Sequence, residues 1–245
     1  MSEEVYESLL LYKTELEKEC LSIEREYYGK FGDSLLALLK LKLEVAKTKQ
    51  KIAYCQKMKN QGLDPDEDEM EAYAKSNCAD AYFAFIDASA KKKQADHCKE
   101  GPYLKPEEVS QSKKLFRALM KMLHPDIHPE LANNPLASSI YEHALTAYKQ
   151  NNLHQLVELY DLASMQFGDE DVEIENVDEK IERLKEEIDE IESHNPYLYR
   201  VYLENPDKGK TLLDDLKKQT KEYEDFLEEL IGRLSLLLSK EVGEA

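Results

Sequence analysis

Tryptophan is absent from this chain of 245 residues, glycine and proline are held to eight each, and no CxxC pair joins any of the four cysteines. Each scarcity excludes something. So few glycines, with 34% charged residues and abundant Glu, Lys and Leu, exclude a turn-rich sheet protein and point to long helices. Scattered thiols (Cys20, Cys55, Cys78, Cys98) fit a reducing compartment better than a disulfide framework. The most apolar windows, 35–43 and 234–238, fall far short of the ~20 residues of a membrane span. The opening Met1-Ser2-Glu3-Glu4 has neither the basic nor the apolar region of a leader peptide, so a cytoplasmic protein is expected. Positive charge is also in deficit. A net charge of -18 argues against general binding to nucleic acid or to an anionic membrane, both of which need a dominant positive field. Fifteen tyrosines in place of tryptophan point to narrow helical interfaces rather than one deep core.

What is present is helical periodicity. Val5, Leu9, Tyr12, Leu16, Cys20, Ile23, Tyr27, Phe31, Leu35 and Leu38 step by threes and fours, and Leu41, Val45, Thr48, Ile52 and Cys55 continue the pattern. Unbroken, residues 4–58 would make a helix of ~80 Å, with Gly29 and Gly32 marking the place where it would bend. Asn60 to Pro65 reads as a stop, with Asp64 capping a second helix from Pro65 to about residue 98 and Gly101-Pro102 breaking it. Pro106 opens a helix that Pro125 forbids beyond Leu123, and Asn134-Pro135 opens the next. A further helix is expected from Leu153 to about Phe167, closed by Gly168. Two heptad seams then follow: Val177, Ile181, Leu184, Ile188, Ile191, and Leu213, Leu216, Thr220, Tyr223, Leu227, Leu230, Leu234, Leu237. The turn-forming stretch 194–210 between them predicts an antiparallel hairpin, with the N-terminal helix a candidate third strand. The expected fold is all-α, with long helices and an antiparallel coiled-coil hairpin flanking a central helical module. Its divisions are residues 1–100, 101–168 and 169–245.

The chemistry lies in the central module. Residues 109–125 carry Lys113, Lys114, Arg117 and Lys121 and no acid, a local reversal of sign in an acidic chain. Leu115, Phe116, Leu119, Met122 and Leu123 make the apolar stripe of the same helix, which leaves the four cations facing solvent. The helix ends at His124-Pro125-Asp126, where proline fixes the chain direction and presents His124 and Asp126 at one corner. A basic face of this kind favours fast, salt-sensitive association with an acidic groove.

These residues resemble the second helix and loop of a J-domain, the module by which DnaJ-type co-chaperones engage DnaK-type ATPase chaperones. The lysine pair is Lys113 and Lys114, the aromatic–arginine step Phe116 and Arg117, the leucine Leu119, and the loop His124, Pro125 and Asp126. On the far side of the loop, Tyr141, Ala144, Ala147 and Tyr148 fall on the spacing of the family's third helix. The likeness covers residues 106–150; the remainder is similar to helical hairpins appended to J-like regions in bacterial proteins. Three departures stand out: the connection before Pro106 leaves little room for the usual first helix, Ile127 stands where many members carry lysine, and Asn151 stands at the family's apolar position three after the Ala147-Tyr148 pair, with the chain continuing into another helix. Residues 70–98 or Leu153 to Met165 are the candidates for that helix's packing role.

The resemblance implies a co-chaperone or adaptor whose partner-binding residues are His124, Pro125, Asp126, Lys113, Lys114, Arg117 and Lys121, and whose partner is a DnaK-type chaperone. Asp126 would compete for a basic residue of that partner. The hairpins would serve a client or second protein, and homodimerisation through the heptads is an open alternative. The competing reading is a structural coiled-coil protein whose J-like region is no longer coupled to a chaperone. The sequence holds no Gly-rich phosphate loop, HExxH or GxSxG motif, so no enzyme, cofactor or metal site is expected. His124 and His128 have the four-residue spacing of a zinc pair, but Pro125 and Pro129 break the helix such a pair needs. Tyr197, Tyr199 and Tyr202 are candidates for gripping a partner or for packing a turn.

Overall fold

A computed structural model describes residues 2–97, 104–167 and 176–239 of the chain; Cys98, Gly101-Pro102 and Gly168 lie outside the described residues. The described residues are all-α: α1 (Ser2–Asn60), α2 (Glu67–Ser76), α3 (Ala79–His97), α4 (Pro106–Leu123), α5 (Pro135–Lys149), α6 (Leu153–Gln166), α7 (Val177–Ser193), α8 (Arg200–Glu204) and α9 (Pro206–Leu238). Among them no helix is long and apolar enough to cross a membrane.

The local signals for helix ends work as their chemistry dictates. Asn134 accepts from the N–H groups of Leu136 and Ala137 at 3.0 and 3.3 Å, Asn152 from Gln155 at 3.1 Å, and Asn205 from Lys208 at 3.1 Å. Three expectations need correction. Helix α1 runs unbroken through Gly29 and Gly32; at Gly32 the missing Cβ makes room for the Lys92 side chain, whose Cδ would otherwise lie 2.6 Å away. The cap of α2 is Asp66, not Asp64: its carboxylate accepts from Glu69 N–H at 2.9 Å, so the helix starts two residues later than expected. The helix expected to reach residue 98 is two helices, broken at Asn77-Cys78, where the Asn77 side-chain and backbone N–H groups both return to the Tyr73 carbonyl.

The chain forms two compact units, each assembled from segments distant in sequence: Met1–Leu21 with Glu100–Tyr197, and Ser22–Lys99 with Leu198–Ala245. This division does not follow the three consecutive stretches expected from the sequence. In the first unit α4, α5 and α6 pack around Phe116, Leu119, Leu123, Ala147, Tyr148 and Leu156, all essentially inaccessible, with Leu11 of α1 against them. Helix α6 (Leu156, Ala163) is therefore the third helix packed on α4 and α5. The seam of α7 (Ile181, Leu184, Ile188) closes on Tyr6, Leu10 and Leu16 of α1. In those first turns the buried line is Tyr6 and Leu10, while Val5 and Tyr12 are exposed, a one- to two-residue offset from the periodicity read in the sequence.

In the second unit the seam of α9 (Tyr223, Leu227, Leu230, Leu234) lies on Val45 and Ile52 of α1. Tyr27 of α1 stacks on Tyr199 with centroids 3.9 Å apart, and Tyr202 joins the same cluster, so these two tyrosines pack a turn. Gly209 sits where α9 passes the Tyr202 carbonyl; a Cβ there would lie 2.7 Å from that oxygen. Each heptad seam thus finds its partner on a stretch of α1. A seam specifies that an apolar partner exists, not which helix supplies it.

Candidate docking site

Helix α4 carries the site. Its first turn is fixed by the Lys105 backbone N–H donating to the Glu108 carboxylate at 2.7 Å, and Pro106 begins the helix. Phe116, Leu119, Met120, Met122 and Leu123 are buried, Leu115 half-buried, and Lys113, Lys114, Arg117 and Lys121 all exposed, as the stripe requires. Phe116 stacks face to face on Tyr148 at 4.2 Å, which fixes the rotation of α4 on α5 and hence the direction of the basic face. The four cations are not equivalent. Lys113 pairs with Glu15 of α1 at 3.0 Å, whereas neither Lys114 nor Arg117 joins an ion pair among the described residues.

The loop after α4 is more tightly held than a surface corner. His124 takes extended backbone angles ahead of Pro125, and its carbonyl accepts the N–H groups of Ile127 and His128 at 2.9 and 2.8 Å. The expectation that His124 is presented outward is corrected: the imidazole is only 8% exposed and meets the Tyr141 ring edge-on at 5.4 Å. Its Nδ1 accepts the Asp126 backbone N–H at 3.1 Å, which assigns the ring proton to Nε2. Burial pulls the His124 pKa down to about 4, against a smaller upward pull from Asp126. His124 is thus the loop's internal post. His128 is equally consumed, with Nε2 3.0 Å from the Lys121 carbonyl and Nδ1 2.8 Å from Glu130. Among the described residues no group of three or more His, Cys, Asp or Glu side chains is placed to hold a metal ion.

Asp126 is the meeting point of three chain segments. Its Oδ2 accepts the Tyr6 hydroxyl at 2.7 Å and lies 3.3 Å from Arg183 Nη2, while its backbone carbonyl accepts Lys180 Nζ at 2.8 Å. Partial burial alone would raise the carboxyl's pKa, but the Tyr6 hydrogen bond and the nearby cationic groups outweigh it and hold it below the usual range. Burial, and then the hydrogen bond to Asp126, push the Tyr6 phenol up. A hydrogen bond from a buried hydroxyl to a carboxylate contributes about 1.5–3 kcal/mol; the Arg183 pair, more than a third exposed on both sides, adds about 0–1 kcal/mol.

Next to it, Ile127 is buried in the cluster of Tyr6, Leu10, Ile181, Leu184 and Ile188. Tyr6, Lys180 and Arg183 were not found by sequence reasoning. The signal that could have found them is Ile127, an apolar side chain at a loop position where the resemblance leads one to expect lysine, and which therefore had to be covered by something.

Compared with family models, with curated proteins and with solved structures, the chain finds no match in any of the three.

Proposed function

We propose that this protein is a J-domain-like adaptor that docks a DnaK-type ATPase chaperone through α4 and the loop that ends it. The observation that carries the reading is the exposed basic face of α4, running without an acid toward a proline corner where Asp126 is held as a carboxylate. Lys114, Arg117 and Lys121 would steer and seat the helix on an acidic groove of the partner, with Lys113 reinforcing once it leaves Glu15. Pro125 and Asp126 would make the corner contact, and His124 would shape the loop from beneath. No bond is made or broken; the work is differential binding to one state of the partner's ATPase cycle. ATP turnover by a DnaK-type chaperone tests this: wild type accelerates it and His124→Gln, confirmed as folded by circular dichroism, does not. No acceleration by wild type, or equal acceleration by the variant, overturns the reading.

A second reading has one observation in its favour. Asp126 and Lys113, two of the expected docking residues, are already engaged inside the molecule. On that reading the module is a structural coiled-coil part whose basic face only packs and solvates, and Asp126→Asn leaves binding to any partner unchanged.

A further inference from the structure

The same engagement can be taken further. We infer that the first turns of α1 together with α7 form an internal clamp on the docking loop, and that Arg183 and Tyr6 hold the carboxylate a partner's cationic group must take. This rests on the docking role proposed above and adds its regulation.

Three features of the geometry carry it. First, the clamp is a pair of helices complete without the loop. Tyr6, Leu10 and Leu16 of α1 pack on Ile181, Leu184 and Ile188 of α7, and two polar links join the same helices, Lys13 to Glu187 at 2.6 Å and the Tyr12 hydroxyl to Glu192 at 2.7 Å. Second, its grip on the loop is small and specific. Among the described residues one apolar side chain of the loop, Ile127, enters the cluster, and the polar contacts converge on Asp126. Third, the groups that grip Asp126 are what a partner would offer it: a guanidinium, an ammonium and a hydroxyl donor.

Arg183 is more than half exposed and Asp126 more than a third, so a second cation can approach the carboxylate from solvent and displace the first. The chain applies the same device at the other end of α4, where Glu15 of α1 covers Lys113. Opening therefore exchanges internal ion pairs for external ones of like kind. That exchange is close to balanced, and a modest change in the clamp shifts it.

Binding of the full-length protein to an ATP-loaded DnaK-type chaperone, measured by calorimetry, tests the clamp. Four proteins are compared: wild type, Tyr6→Phe, Arg183→Ala and Asp126→Asn. Tyr6→Phe keeps the buried ring and removes only the hydroxyl, so the α1–α7 core stays intact. The clamp predicts tighter binding by both variants: by about tenfold or more for Tyr6→Phe, the range of a hydrogen bond to a charged group, and by about twofold to fivefold for Arg183→Ala, the range of one exposed charge pair. It also predicts weaker binding by Asp126→Asn. If Asp126→Asn weakens binding while Tyr6→Phe and Arg183→Ala leave it unchanged, docking stands and the clamp is overturned. If the two clamp variants bind more weakly than wild type, Tyr6 and Arg183 position Asp126 for the partner, and the clamp is again overturned. Absence of wild-type binding, or indifference to Asp126→Asn, overturns the docking reading and leaves the clamp nothing to restrain.

Discussion

Phe116→Ala is expected to destabilise the unit that carries α4 by about 3–5 kcal/mol, the range for deleting a large aromatic from a core that cannot collapse around the hole. Phe116 is 1% exposed, stacks on Tyr148 and belongs to the same buried cluster as Leu156 of α6. Removing the ring takes away the stack and the contacts that tie α4 to both neighbours, so the cavity opens at the junction of three helices. A domain with about 5–15 kcal/mol of total stability has little to spare for that. Urea unfolding followed by circular dichroism checks it, with Leu136→Ala at an exposed position as the control, expected within about 0.5 kcal/mol of wild type. A loss below 1 kcal/mol for Phe116→Ala would mean that α4 is not seated on this core.

The second large effect is on pH. In the unfolded chain His124 titrates near its ordinary 6.5, but in the folded loop burial holds it down to about 4. Between those values the unfolded state binds the extra proton, so stability is full above pH 6.5 and falls as the pH drops toward 4. A shift of that size corresponds to a loss of about 3 kcal/mol. Asp126, held below its ordinary range, acts in the same direction at lower pH, since its contribution is lost as the carboxylate is protonated. Protonation at His124 Nδ1 would also set an N–H against the Asp126 N–H it now accepts. The acid limb of a stability–pH profile should therefore be steep for wild type and flatter for His124→Gln between pH 4 and 6.5. Parallel profiles would show that the imidazole is not buried neutral.

How much of this was legible beforehand depended on whether the determining interaction was local. The ends of α4 follow from Pro106 and Pro125, and the start of α5 from Asn134-Pro135, because caps and prolines act within a turn. The stripe of α4 and the seams of α7 and α9 were readable because periodicity is a property of one segment. The partners of those seams were not: Tyr6 reaches Asp126 across 120 residues of sequence, and no period encodes that meeting. The offset in the first turns of α1 has the same origin, since Tyr6 and Leu10 are buried in a cluster with Ile181, Leu184 and Ile188 of α7, a partner that the period of α1 does not specify. The break at Asn77-Cys78 was missed because it has neither glycine nor proline, only an asparagine whose side chain satisfies a helix-end carbonyl. At the site, the exposure of the cations was readable from the sequence, and the inward turn of His124 was not.

The proposed docking face offers the most direct test. Lys114 and Arg117 are exposed and join no ion pair among the described residues, so reversing both charges breaks no internal pair and leaves the hydrogen bonds of Asp126 in place. The affinity of Lys114→Glu/Arg117→Glu for an ATP-loaded DnaK-type chaperone, measured beside wild type at low and at 0.15 M salt, reads the proposed contact alone. The docking account predicts salt-sensitive binding by wild type and a loss of about tenfold or more for the double variant, the scale of placing like charges across an interface. Equal affinity for the two proteins, or no binding by either, would contradict it.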